Sequence, residues 1–187
     1  MNVQMTQKSK TTMMALCGLF AAIAAVCSWI SIPLGFTPVP VNLGTLAVYL
    51  CGALLGPKYG PLSLTVYALA GAVGVPVFSG FRGGLSVLAG PTGGYIIGYI
   101  LAAFIIGLII AAATRTERST AVAVASYAFA MVCGMAACYA LGTAWFMIST
   151  HTGFAAAMVS CVIPFLPGDA LKITAATILA RKLKKFI

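Results

Sequence analysis

Only two of the 187 residues are acidic, Glu117 and Asp169, against eleven lysines and arginines, and His151 is the single histidine. Charged residues make up 7% of the chain, where soluble domains carry about 25%, so an ordinary soluble domain is excluded. The 61% hydrophobic content likewise excludes a disordered chain. Two acids supply no carboxylate pair for general acid/base work, and no Ser/His/Asp or Cys/His set with an acidic group to orient its base. The six cysteines, 17, 27, 51, 133, 138 and 161, all lie in apolar stretches without a CxxC. They read as small core hydrophobes, not as metal ligands or a disulfide framework. The glycine-rich run from Gly90 to Gly94 lacks the Gly-Lys-Ser/Thr that cradles phosphates. Coupled transport usually needs intramembrane carboxylates, and only Asp169 is available, so any uphill movement would draw its energy from another chain. A pI near 9.5 invites a nucleic-acid reading, but the polar surface such a domain needs is missing, and no nucleic-acid partner is expected.

What the chain does have is apolar length. Mean hydropathy is +1.07, and a membrane helix takes about 20 apolar residues. The runs predict six spans, about 11–32, 42–55, 61–75, 93–113, 120–148 and 167–183, in a single all-α membrane domain with no room for a soluble catalytic domain. The second and third are short, and a re-entrant hairpin is the alternative for them. Pro164, Pro167 and Gly168 place the start of the last helix, which leaves Ala155–Ile163 as a short apolar segment before it. Lys8, Lys10, Lys58, Arg115, Arg118, Arg181, Lys182, Lys184 and Lys185 all fall on one side of a six-span chain, and the positive-inside rule makes that side, with both termini, cytoplasmic. The first run is too long for a signal-peptide core and is expected to stay as a span.

The polar exceptions gather toward the other side. Asp169 and Lys172 share one face of the last helix. Thirteen residues, about 20 Å of helix, separate Asp169 from Lys182, which puts the pair in the outer half of the membrane at about 2–3 kcal/mol per charge. A local ion pair, with Asp169 favoured by the helix N-terminus, is one reading; a ligand site that includes the pair is the other. Arg82 is the one charge in the outer loops, among glycines and apolar residues from Gly71 to Gly84 that suggest a loop folded onto the helices. The uncharged, Pro-rich loop Ile32–Asn42 suits a lid. Together with Tyr95 these features describe an outward pocket for a small, partly apolar ligand with polar ends.

Four stretches in order carry a resemblance: Ile32-Pro33-Leu34 with Pro38-Val39-Pro40-Val41-Asn42-Leu43-Gly44-Thr45-Leu46; Gly74-Val75-Pro76-Val77-Phe78-Ser79-Gly80; Gly90-Pro91-Thr92-Gly93-Gly94-Tyr95; and Pro164-Phe165-Leu166-Pro167-Gly168-Asp169-Ala170-Leu171-Lys172. Over essentially the whole chain the sequence resembles the BioY family, the biotin-specific substrate-binding (S) components of energy-coupling-factor (ECF) transporters. The resemblance implies six helices, an extracellular-facing biotin pocket with a first-loop lid, and no cofactor beyond biotin as transported ligand. It also implies a transmembrane coupling subunit and two cytoplasmic ATPase subunits as partners, in a multi-pass protein of a prokaryotic cell membrane that is not itself an enzyme. Helix one of such subunits carries small residues at four-residue spacing against the coupling protein, and Gly18/Ala22 and Ala21/Ala25 offer that spacing. One departure is Gly44, where the family commonly has Gln, with Asn42 as a partial substitute.

For biotin, the expected contacts are Asp169 accepting from a ureido N–H, Arg82 or Lys172 pairing with the valerate carboxylate, and Phe78 and Tyr95 packing on the rings. The opposite assignment, with Lys172 donating to the ureido oxygen, stays open at this level. The alternatives in function are an S component for another vitamin such as thiamine or riboflavin, a facilitator independent of ATPases, and a small membrane enzyme. The scarcity of carboxylates argues against a cationic ligand, and the missing general base argues against the enzyme.

Overall fold

The structure, a computed structural model, describes residues 10–114 and 120–185. Lys8, Arg115, Glu117 and Arg118 lie outside the described residues. The elements run α1 (Lys10–Trp29), β1 (Ser31–Ile32), β2 (Val41–Asn42), α2 (Gly44–Ala72), α3 (Leu85–Ala89), α4 (Gly93–Ala113), α5 (Thr120–Thr150), α6 (Phe154–Cys161), a 3-10 turn (Ile163–Phe165) and α7 (Leu166–Leu183). The layout is helical, as expected for an all-α membrane protein, with one addition. The first loop is pinned by a small antiparallel ladder, Ser31 opposite Asn42 and Ile32 opposite Val41.

Among the described residues, four helical stretches are long and apolar enough to cross a membrane: Lys10–Trp29, Gly93–Ala113, Thr120–Thr150 and the continuous run Phe154–Leu183. Their outer faces expose large apolar side chains such as Phe104, Leu108, Phe129 and Leu171, a surface suited to lipid and too apolar for water. The two short runs predicted around Gly56–Gly60 are arms of α2, 44–55 and 57–72, joined at a sharp break. The break is narrower than the loop expected from sequence, because Gly56 alone leaves helical geometry, at φ 75° and ψ −172°. Pro57 then starts the second arm, where its missing N–H costs nothing. The arms are about 18 and 24 Å long, each short of a hydrocarbon core of about 30 Å.

α4 is the central helix, packed on one side against α2 and on the other against α5, while α1 lies along α2 and α7 fits against α2 and α5. Small residues allow these approaches. At Gly52 an added methyl would sit 2.8 Å from the Ala103 carbonyl oxygen of α4. The antiparallel course brings the C-terminus of α1, the N-terminus of α2, the C-terminus of its second arm and the N-termini of α4 and α7 to one end. The other end carries Lys10, Lys58, Arg181, Lys182, Lys184 and Lys185, with the Lys184 ammonium 5.3 Å from the Tyr127 ring.

The small residues of α1 divide between two faces. Ala21 and Ala25 are buried in the core beside Phe20 and Ala24, because that face of α1 packs on α2; they are not open to a partner, which corrects the expectation for this pair. Gly18 and Ala22 are exposed.

Gly56 has open space around it, so its requirement is purely conformational. Gly56→Ala forces a side chain into a backbone region that is essentially glycine-only, at a cost of about 1–3 kcal/mol. The purified variant is expected to melt below the wild type, while Gly35→Ala, equally unhindered and without positive φ, melts with it. Coincident melting of Gly56→Ala and wild type would refute the strained break.

Candidate ligand-binding site

At the end away from the basic cluster lies a cavity with about 850 Å³ of free space, its open mouth included. All seven helices contribute lining residues, α3 through Val87 and α6 through Cys161, and the loops supply the roof. All six ligand-site residues predicted from sequence, Asn42, Phe78, Arg82, Tyr95, Asp169 and Lys172, line this one cavity.

The deepest charges are a pair. Pro167 lies in the first turn of α7, and one turn of helix then carries Asp169 and Lys172 to the same face. The Lys172 Nζ donates to Asp169 Oδ1 at 2.9 Å and to Thr45 Oγ1 at 3.0 Å, and Thr45 in turn donates to Asp169 Oδ1 at 3.1 Å. The Tyr139 hydroxyl of α5 donates to Asp169 Oδ2. Asp169 is 2% exposed, so the carboxylate is a buried hub for α2, α5 and α7. Lys172 keeps one N–H free of these bonds, since an ammonium has three.

The loops form the roof by specific attachments. The Asn42 side chain is spent on structure at both ends: its Oδ1 accepts from the Gly44 N–H at 2.8 Å, and its Nδ2 donates to Ser79 Oγ at 2.7 Å. It ties the first loop to the second more than it substitutes for a missing Gln. Gly44 has no room for that Gln, because even a Cβ would lie 2.9 Å from both Asn42 Oδ1 and Ser28 Oγ. The second loop folds back in a tight turn, with Phe78 and Arg82 exchanging backbone hydrogen bonds across Gly80 and Phe81, both at positive φ. Phe78 is thereby driven inward, edge-on to Tyr67 and over Gly71, where any side chain would occupy the ring's place. Phe81 points outward and stacks on Trp29 at 5.0 Å. Trp29 Nε1 donates to the Pro76 carbonyl, and Trp145 Nε1 to that of Gly90. The loop is folded onto the helices, as its apolar composition suggests.

Arg82 stands at the mouth. Its Nε donates to the Ser79 carbonyl at 3.1 Å, and its terminal nitrogens have no partner among the described residues. Tyr95 lies with its ring against Gly142, its hydroxyl bonded to Thr143 at 3.1 Å and donating to the Cys161 carbonyl at 3.4 Å. It offers the cavity an aromatic face, with its polar end already satisfied. Sequence reading missed Thr45, Tyr139, Tyr49, Tyr67 and Tyr99, all of which line the cavity. Tyrosines inside apolar helices were the available signal, since a buried phenol needs a partner. Among the described residues no group of three or more His, Cys, Asp or Glu could hold a metal ion.

A helical membrane protein with an enclosed, charge-lined cavity under a loop roof at one end defines the class of membrane substrate-binding subunits. The chain belongs to the BioY family, whose model matches residues 3–187. It is 44% identical over 168 residues to the biotin transporter BioY of Thermotoga maritima, covering 90% of this chain and 93% of that one. To the probable biotin transporter BioY of Pyrococcus horikoshii it is 37% identical, covering 94% and 98%. Its fold superposes on a crystal structure described as the S-component for biotin from an ECF-type ABC transporter, with a TM-score of 0.86 and 27% identity over 97% of this chain and 95% of that one.

Removing one partner from a buried pair leaves an uncompensated charge, at a cost of about 3–5 kcal/mol. Lys172→Met is therefore expected to lower the thermal midpoint of the ligand-free protein sharply. The double variant Asp169→Leu/Lys172→Met is expected to recover part of that loss without recovering ligand binding. A double variant no more stable than Lys172→Met would contradict the pair's role as drawn.

Proposed function

We propose that this protein is the high-affinity biotin-binding subunit of an ECF-type vitamin uptake transporter. The observation that carries the reading is the polarity of the cavity: a buried Asp169–Lys172 pair on the inner wall, aromatic walls between, and the free end of Arg82 at the mouth. Biotin has the matching order, with a ureido ring, an apolar thiophane ring and a carboxylate at the end of a flexible chain. The names of the family and of its relatives agree with this ligand.

The arrangement favours one assignment of the charges. Lys172 is committed to Asp169 and Thr45, so the pair faces the ureido head, with the Asp169 side accepting from ureido N–H and the remaining Lys172 N–H donating to the ureido oxygen. Charge-assisted bonds of this kind are strong in a water-excluded site. Arg82, with its terminal nitrogens uncommitted, pairs with the carboxylate. Phe78 and Tyr95 pack on the rings, and Asn42 positions the roof.

Biotin is cargo in this reading, and no resident cofactor is needed. The chain holds no nucleotide-binding motif, so energy comes from a transmembrane coupling subunit and two cytoplasmic ATPase subunits. The membrane is the prokaryotic cell membrane, crossed six times if each arm of α2 counts as one crossing. The basic end faces the cytoplasm by the positive-inside rule, with both termini there, so the cavity opens outward. Gly18 and Ala22, small and exposed on α1, are the face offered to the coupling subunit.

Calorimetric titration of the detergent-purified protein is expected to show binding of biotin with Kd on the order of nanomolar, and none of thiamine or riboflavin. Absence of biotin binding by folded protein would overturn the ligand. Arg82→Ala is expected to weaken biotin about 10- to 100-fold, the worth of a hydrogen bond to a charged group, while binding biotin amide as the wild type does. Equal losses for both ligands would remove Arg82 from the carboxylate.

A further inference from the structure

We infer that the Tyr49 hydroxyl is a further recognition group of this cavity, donating a hydrogen bond to an acceptor oxygen on the buried polar head of the ligand. The inference rests on the proposed biotin reading, in which that oxygen is the ureido carbonyl.

Tyr49 lies on the first arm of α2, lines the cavity and is 1% exposed. Its hydroxyl is the one buried side-chain polar atom without a hydrogen-bond partner among the described residues. Three other tyrosines nearby are engaged: Tyr67 with Ser28 at 3.0 Å, Tyr95 with Thr143 and Cys161, and Tyr139 with Asp169. Thr45, one turn earlier on the same helix, is the polar neighbour of Tyr49, but makes no hydrogen bond of ordinary geometry with it. The Thr45 hydroxyl already donates its proton to Asp169 and accepts from Lys172. The Asp169 carboxylate accepts from Thr45, Lys172 and Tyr139. These bonds leave the carboxylate one lone pair for a ligand N–H, while the phenolic proton of Tyr49 has no acceptor.

A buried hydroxyl without a partner destabilises the fold that carries it, and the asymmetry between a made and an unmade bond is larger than the bond's net worth. In a cavity wall this becomes selectivity. A ligand that brings an acceptor oxygen to Tyr49 satisfies the group, whereas one that lacks it leaves the group buried and unpaired, which is how polar sites reject close analogues. Tyr49 stands beside the Asp169–Lys172 pair and far from Arg82 at the mouth, so it acts on the ligand's head and not on its carboxylate. It complements Lys172, whose free N–H approaches the same oxygen from α7.

The test is Tyr49→Phe, which removes one oxygen and keeps the ring. Thermal melting of the ligand-free protein and calorimetric titration with biotin are run on wild type and variant. The variant is expected to melt at or above the wild type, because no bond is lost, and to bind biotin about tenfold more weakly. Unchanged biotin affinity in the variant, with the wild type binding, overturns the role of Tyr49 and leaves the biotin reading standing. A ligand-free variant that melts well below the wild type also overturns it, since the hydroxyl would then be bonded within the empty fold. A wild type that does not bind biotin overturns the biotin reading itself, and this assignment with it.

Discussion

A charge inside a membrane protein must be paired or it unfolds the protein, and this chain places two of its few charges within one turn of α7. Asp169 and Lys172 neutralise each other, but Coulomb attraction alone does not repay the removal of two ions from water. The remaining lone pairs and protons must also be met, and here Thr45 and Tyr139 meet them. Those two residues come from α2 and α5, so satisfying the carboxylate brings three helices to one point and sets the rotation of α7. The cavity is the space left when helices converge on that point through large tyrosines on one side and small residues on the other.

The roof follows from the same constraint. An ion pair exposed to bulk water needs no network, and its selectivity for a ligand would be screened away; a covered one keeps both. The loops that cover it carry one charge, Arg82, and are held by side chains on helix ends and on the opposing loop: Trp29 to Pro76, Trp145 to Gly90, Asn42 to Ser79. Each attachment satisfies a polar group that the apolar roof would otherwise bury unpaired. The roof is therefore a packed layer whose removal would break specific bonds, and Arg82 is left at its edge with donors to spare.

Membership of the BioY family and the poverty of ionisable groups describe one design. The chain has two acids and no Gly-Lys-Ser/Thr phosphate-binding motif. Its relatives are named as biotin transporters, and the solved relative as a component of a larger transporter. Asp169, Lys172, Tyr49 and Arg82 are arranged along one cavity, in keeping with the proposed binding role.

Membrane class, the helix start near Pro167, the Asp169–Lys172 pairing and the convergence of polar residues at one end could be read in the sequence, because hydropathy, proline position and i,i+3 spacing are local properties of the chain. Other features depended on which helices meet. The tyrosines signalled phenols in need of a partner but not their place, since a tyrosine in an apolar run looks the same whether it faces lipid, core or cavity, and Thr45 carried no local signal. Asn42, expected from sequence as a ligand contact, also acts as a strut between loops, because its partners, Gly44 and Ser79, lie on two different segments. Ala21 and Ala25 had the spacing of an interface, but the packing of α1 on α2 turned them inward and left Gly18 and Ala22 outside. The sequence by itself determined which stretches are helical and where charge is tolerated, because solvation by lipid acts residue by residue. Only the tertiary structure decided which hydroxyls are satisfied and that the buried one on Tyr49 is not, because a hydrogen bond depends on the distance and angle between groups that folding alone brings together.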